Sequence, residues 1–141
     1  MKKSVFLTLI IVLISILLLS SCVMFVNKEF ENLMNSDNCN WWAEEIDLTF
    51  GYPHPQGTQI NGTFNFEGVE YIIITNIELD YNYFYVWVYD GDDYGKSEIK
   101  SKGSIDFEVY KIVDENTFIF ETKKSDYDIP KFVTFHRITE E

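Results

Sequence analysis

The chain is 141 residues long, 46% apolar and 17% aromatic, with 11 basic side chains against 23 acidic ones and a net charge of −12. That length suits a leader plus one small domain, and the acidity excludes nucleic acid, whose phosphates need a basic face. It equally disfavours lying flat on an anionic lipid surface, and a chain this short builds no cleft of the depth that glycoside hydrolysis usually needs.

Met1-Lys2-Lys3 is a positive start, Val5 to Leu19 is almost purely aliphatic, and Ser20-Ser21 are the small residues a signal peptidase needs. The run Leu19-Ser20-Ser21-Cys22 resembles the lipobox of bacterial lipoproteins. That resemblance implies loss of residues 1–21 as a signal peptide and lipidation of Cys22 by a diacylglyceryl group and fatty acyl chains such as palmitate. Each buried methylene contributes about 0.8 kcal/mol, so two or more chains hold a domain stably at a membrane. The expected location is the cell membrane or outer membrane, with the domain outside the cytoplasm. Val23 to Val26 extend the apolar run, so an uncleaved anchor over Val5 to Val26 is the second reading and plain secretion the third. Cleavage at Cys22 leaves nine basic residues against 23 acidic ones, a net charge of −14, whose simplest role is solubility. Cys39 is then a free thiol or a dimer contact, whereas in an uncleaved chain Cys22 and Cys39 could pair.

Residues 22–40 read as a tether. Phe30, Leu33 and Met34 fall on one helical face, so a short helix or a loose stalk fits there. From Trp41-Trp42 the period becomes two, and residues 41–141 read as a β domain. Strands are expected at about 44–50, 58–67, 69–79, 82–90, 96–101, 104–112, 116–123 and 131–138. Alternation puts Ile46, Leu48, Phe50, Ile60, Phe64, Phe66, Tyr71, Ile73, Ile77, Leu79, Phe84, Val86, Val88, Ile105, Phe107, Val109, Phe118, Phe120, Val133 and Phe135 on the dry face. Glu45, Asp47, Asn61, Thr63, Asn65, Asp106, Glu108, Thr117 and Glu121 take the wet one. Asn61-Gly62 has hairpin composition, but a two-residue turn there would put Phe64 and Phe66 out of phase with Ile60. One continuous strand is therefore expected, with Gly62 allowing a bend or a close backbone approach.

Sequential strands with short turns and no crossover helix predict an all-β fold: an antiparallel up-and-down barrel of about eight strands, or else a meander-rich sandwich. With its candidate lipid cysteine, a Trp before the first strand and a late Arg, the chain resembles the small lipocalin-like (calycin-type) lipoproteins of bacteria. The resemblance implies that Trp41 or Trp42 closes one barrel end with Arg137, the only Arg in the sequence, packed across it. A guanidinium over an indole contributes roughly 0.5 to 2 kcal/mol. The chain departs from the family in having no Gly-x-Trp, since Asn38, Cys39 and Asn40 fill that stretch. Ser125-Asp126-Tyr127 is similar to the family's Thr-Asp-Tyr but lies too near Arg137 for the usual further strand, and is read as chance.

Tyr83, Tyr85, Trp87 and Tyr89 alternate with Phe84, Val86 and Val88 and form the best candidate binding row, against the simpler alternative of sheet packing. Asp90-Gly91-Asp92-Asp93-Tyr94-Gly95 has carboxylates for Ca²⁺ but lacks the full calcium-loop series, and reads as an acidic turn. His54 between prolines and His136 on an outer strand phase offer neither metal spacing nor a catalytic constellation, so no enzyme activity and no cofactor are expected. The expected function is a tethered barrel binding a small apolar or amphipathic ligand in or near its mouth; the alternative is a structural or interaction lipoprotein with a filled core that meets an envelope protein.

Overall fold

The computed structural model describes residues 10–15, 28–37, 39–52, 61–93 and 100–139. Eight strands run β1 Asn40–Ala43, β2 Leu48–Gly51, β3 Gly62–Phe66, β4 Val69–Glu78, β5 Tyr83–Asp90, β6 Gly103–Asp114, β7 Thr117–Ser125 and β8 Phe132–Arg137. Each pairs antiparallel with the next, and β1 returns to β8 to close the barrel. The expected all-β, up-and-down barrel is therefore the observed fold, and it is compatible with a lipocalin-like architecture. Among the described residues each strand has a ladder neighbour on both sides, so closure removes the free edge strands of an open sheet.

Local chemistry explains the corners. Glu67 and Gly68 both take positive φ (52° and 81°), which a two-residue type I′ hairpin between β3 and β4 requires. After β4, the 3-10 turn Leu79–Tyr81 ends on left-handed Asn82 (φ 56°) and hands over to β5. Asp114 Oδ1 accepts the Asn116 N–H at 2.8 Å and so stabilises the β6–β7 turn. Register shifts at Asp106/Phe107, Val109/Lys111 and Ile112/Asp114 bend the long β6–β7 pair around the barrel.

Three expectations need correction. The strand foreseen at 44–50 shrinks to β2, which starts only at Leu48, because Glu44–Ile46 form a 3-10 turn ending on left-handed Asp47; the unforeseen β1 precedes that turn and contains both tryptophans. Period two survives across this turn because Ile46 is buried in phase with Leu48 and Phe50, which hides the turn from a pattern search. Asn61, expected on the wet face, is 8% exposed, because its side chain stands in for ladder backbone: Asn61 Oδ1 accepts the Thr75 N–H at 2.9 Å and Nδ2 donates to the Thr75 hydroxyl. Lys100 and Ser101 lie in no strand, while residues 96–99 of the strand expected there fall outside the described residues.

Asn61 and Gly62 form no turn. Gly51 N–H donates to Asn61 O, Asn61 N–H donates to Ile73 O, and the ladder runs on through Gly62. A Cβ on Gly62 would stand 1.9 Å from the Thr49 carbonyl oxygen, so the β2 and β3 backbones meet where only glycine fits. The expected close approach is thus present, although Ile60 lies outside the described residues.

The lumen is filled by phenylalanine. Phe50, Phe64, Phe84, Phe107, Phe118, Phe120 and Phe135 are at most 2% exposed. Phe84 alone has ring neighbours Phe50 at 4.6 Å, Phe120 at 5.2 Å, Phe107 at 5.9 Å and Phe135 at 6.4 Å. An eight-stranded barrel has just enough room for its own side chains or one modest ligand, and here the rings take the space. Residues 28–34 are helical and lie over one end, with Phe30, Leu33 and Met34 buried in the same core. Phe30 meets Phe118 and Phe120 edge-on at 5.7 and 5.8 Å.

Candidate functional site

The candidate row lies on β5, whose even residues Phe84, Val86 and Val88 are fully buried in the lumen while its odd residues face outward. Tyr83 and Tyr85 lie 5.7 Å apart at 18°, Tyr85 and Trp87 6.2 Å apart at 21°, so the three rings form one offset stack. Tyr89 follows on the same face without a ring contact to Trp87 among those described. Across the ladder, Glu78, Asn76, Ile74 and Ile72 of β4 face Tyr83, Tyr85, Trp87 and Tyr89 in turn. On the other side Glu108, Asp106 and Ser104 of β6 face Tyr83, Tyr85 and Trp87. The wall therefore sets Trp87, which is 36% exposed, between Ile74 and Ser104, and is acidic around Tyr83 and Tyr85. Burial by its neighbours, and then the charges of Glu78, Asp106 and Tyr83, hold the Tyr85 phenol above its usual value. Glu108 is partly neutralised by Lys123 at 3.1 Å, whose ammonium also reaches Glu121 at 3.3 Å.

The residues expected to close the barrel separate. Trp41 is fully buried, and the Arg137 guanidinium carbon lies 4.5 Å from its ring centre. Arg137 is fixed there because Nε and Nη2 donate to the Glu115 carbonyl at 3.2 and 2.9 Å and Nη1 donates to the Ser36 hydroxyl at 2.7 Å. Trp42 points the other way, 37% exposed, between Thr49 and His136 on neighbouring strands. Cys22 lies outside the described residues. Cys39 is a free thiol, but a buried one, so it offers no surface for a dimer contact; Sγ donates to the Met34 and Leu33 carbonyls at 2.7 and 3.2 Å.

The opposite end is closed by a loop tyrosine. Tyr127, in the loop between β7 and β8, packs among Phe64 at 5.0 Å, Phe66 at 5.1 Å and Tyr71 at 6.4 Å. Asp126 staples this loop to β6 by accepting the Ser104 N–H at 2.8 Å. Burial, and then the charges of Tyr71 and Asp126, push the Tyr127 phenol up to about 12, and its hydroxyl is buried with no hydrogen-bond partner. A loop residue lodged in a barrel mouth carries no periodicity, so strand alternation gives Ser125-Asp126-Tyr127, read above as a chance match, no place in the core.

His136 is exposed on the outer wall, its Nδ1 3.5 Å from the Thr117 hydroxyl, and His54 falls outside the described residues. Asp90 Oδ1 accepts the Asp92 N–H at 3.2 Å within the acidic turn. Among the described residues no three His, Cys, Asp or Glu side chains converge as metal ligands. Residues 10–15 of the expected leader are helical and exposed, and among the described residues no helix is long and apolar enough to cross a membrane. Among the described residues, clefts of about 260 and 360 Å³ sit at strand ends, and apart from Phe50 no lumen phenylalanine lines either of these. No protein-family model, no curated protein and no solved structure matches the chain.

Proposed function

We propose that this chain is a membrane-anchored, non-enzymatic barrel lipoprotein of the cell envelope that works through its outer wall by meeting another protein. The observation that carries this reading is the lumen: Phe50, Phe84, Phe107, Phe118, Phe120 and Phe135, linked ring to ring, and the equally buried Phe64 occupy the space in which a barrel of this size would hold a ligand. The outer wall, by contrast, presents an aromatic stack that no described element covers. Anchoring rests on the leader sequence and Cys22, and the closer calycin-type assignment on Arg137 lying over Trp41.

A second reading, a small apolar or amphipathic ligand at the mouth, draws on the orphaned Tyr127 hydroxyl, which a ligand acceptor would satisfy. Native mass spectrometry of full-length protein extracted from membranes separates the two. The outer-wall reading expects a chain starting at Cys22 with its acyl chains and no other small molecule. A reproducible stoichiometric adduct would favour the mouth, and an intact Met1 would remove the lipid anchor.

A further inference from the structure

We propose that the outer wall of β4–β6 and the cleft beside it form one docking site for a basic segment of a partner protein. An arginine or lysine would enter the cleft, and neighbouring apolar residues would lie along Trp87. This deepens the outer-wall reading and rests on it.

Glu78 belongs to both parts of the site. It faces Tyr83 at the head of the aromatic stack, and together with Glu31 of the helix it lines the cleft of about 360 Å³, whose remaining walls are Ile77, Leu79 and Tyr81. Apolar walls with two carboxylates suit a side chain that has a long aliphatic stem and a cationic head. Among the described residues, neither Glu31, Glu78 nor Asp106 has an ion-pair partner, whereas Glu108 and Glu121 are taken by Lys123 and Lys131. The three unpaired carboxylates therefore carry charge into solvent beside a rigid aromatic surface, the combination in which an arriving cation gains most.

Charge also decides among occupants. A second copy of this chain brings the same net charge of −12, and anionic lipid or nucleic acid is likewise repelled. The stacked rings Tyr83, Tyr85 and Trp87 lean on one another and so shield their faces, a poor platform for a flat sugar but a good ridge for side chains.

The test is calorimetric titration of the full-length, detergent-solubilised protein with a synthetic peptide of about twelve residues alternating arginine and leucine. The same peptide with glutamate for arginine, and a neutral glucan oligosaccharide, are run beside it. The arginine peptide should bind and weaken as salt rises, since exposed charges are screened. Trp87→Ala, which leaves the charge unchanged, and Glu31→Gln with Glu78→Gln should each weaken it by about tenfold or more, as buried contacts at a site do. Glu44→Gln with Glu115→Gln, which remove two charges elsewhere, should change it by less than about twofold. Equal losses in all variants would mean diffuse attraction and overturn the site, as would no binding of the arginine peptide. Trp87-dependent binding of the glutamate peptide would also overturn the basic partner while leaving the outer-wall reading standing, whereas Trp87-dependent binding of the glucan would overturn the protein partner as well. A lumen or mouth ligand found by mass spectrometry would instead remove that reading.

Discussion

The two faces of β5 differ in what their aromatic rings do. Phe84 inside touches rings from β2, β6, β7 and β8, whereas among the described residues the rings of Tyr83, Tyr85 and Trp87 outside touch only one another. Identical backbone therefore supports a cross-barrel lock on one side and a free-standing ridge on the other. Aromatic content by itself distinguishes neither role; the number of strands a ring ties together does.

The largest effect should come from breaking the inner lock. Phe84→Ala leaves a hole among four rings and should cost about 3 to 5 kcal/mol by denaturant unfolding. Trp87→Ala should cost less than about 1 kcal/mol, the scale of a surface cross-strand contact. Equal losses would erase the distinction between the faces. Next, Gly62→Ala forces a Cβ into the Thr49 carbonyl and should cost about 1 to 3 kcal/mol, with hydrogen exchange rising in β2 and β3 first.

Tyr127 gives a smaller, pH-dependent signal. Its phenol is raised from 10.0 to about 12, so the folded state holds the proton more tightly than the unfolded chain. The resulting stability is complete below pH 10 and is lost as pH rises through about 12. Phenolate absorbance should show a component titrating near 12 that vanishes in Tyr127→Phe; a profile near 12 unchanged by that substitution would contradict the plug.

Smallest of all is the exposed cluster of Glu121, Lys123 and Lys131. The hydrogen bond from Lys123 holds the Glu121 carboxyl below its usual value, so its contribution is present above the ordinary carboxylate range and fades as pH falls through the lowered value. Lys123→Met should flatten that acid limb of the stability profile only slightly, and more weakly in high salt.

The barrel was legible because phenylalanine and valine recur at every second position of β5, β6, β7 and β8, where one side is dry and the other wet. β1 was not, because four residues between Cys39 and Glu44 are too few to display alternation, and Asp47 turned the chain without disturbing the phase of Ile46 and Leu48. Asn61 misled for another reason: a side chain acting as backbone obeys hydrogen-bond geometry and not polarity. The outward row at Tyr83, Tyr85 and Trp87 could be read from spacing, but the cleft that shares Glu78 with Glu31 joins strand to helix across 47 residues and exists only once the chain is folded.

Titration of the full-length protein with a fluorescent fatty acid tests the filled lumen most directly. The account predicts no saturable uptake, with or without Trp87→Ala. One-to-one binding that survives Trp87→Ala and is lost when Val86→Phe crowds the interior would contradict it.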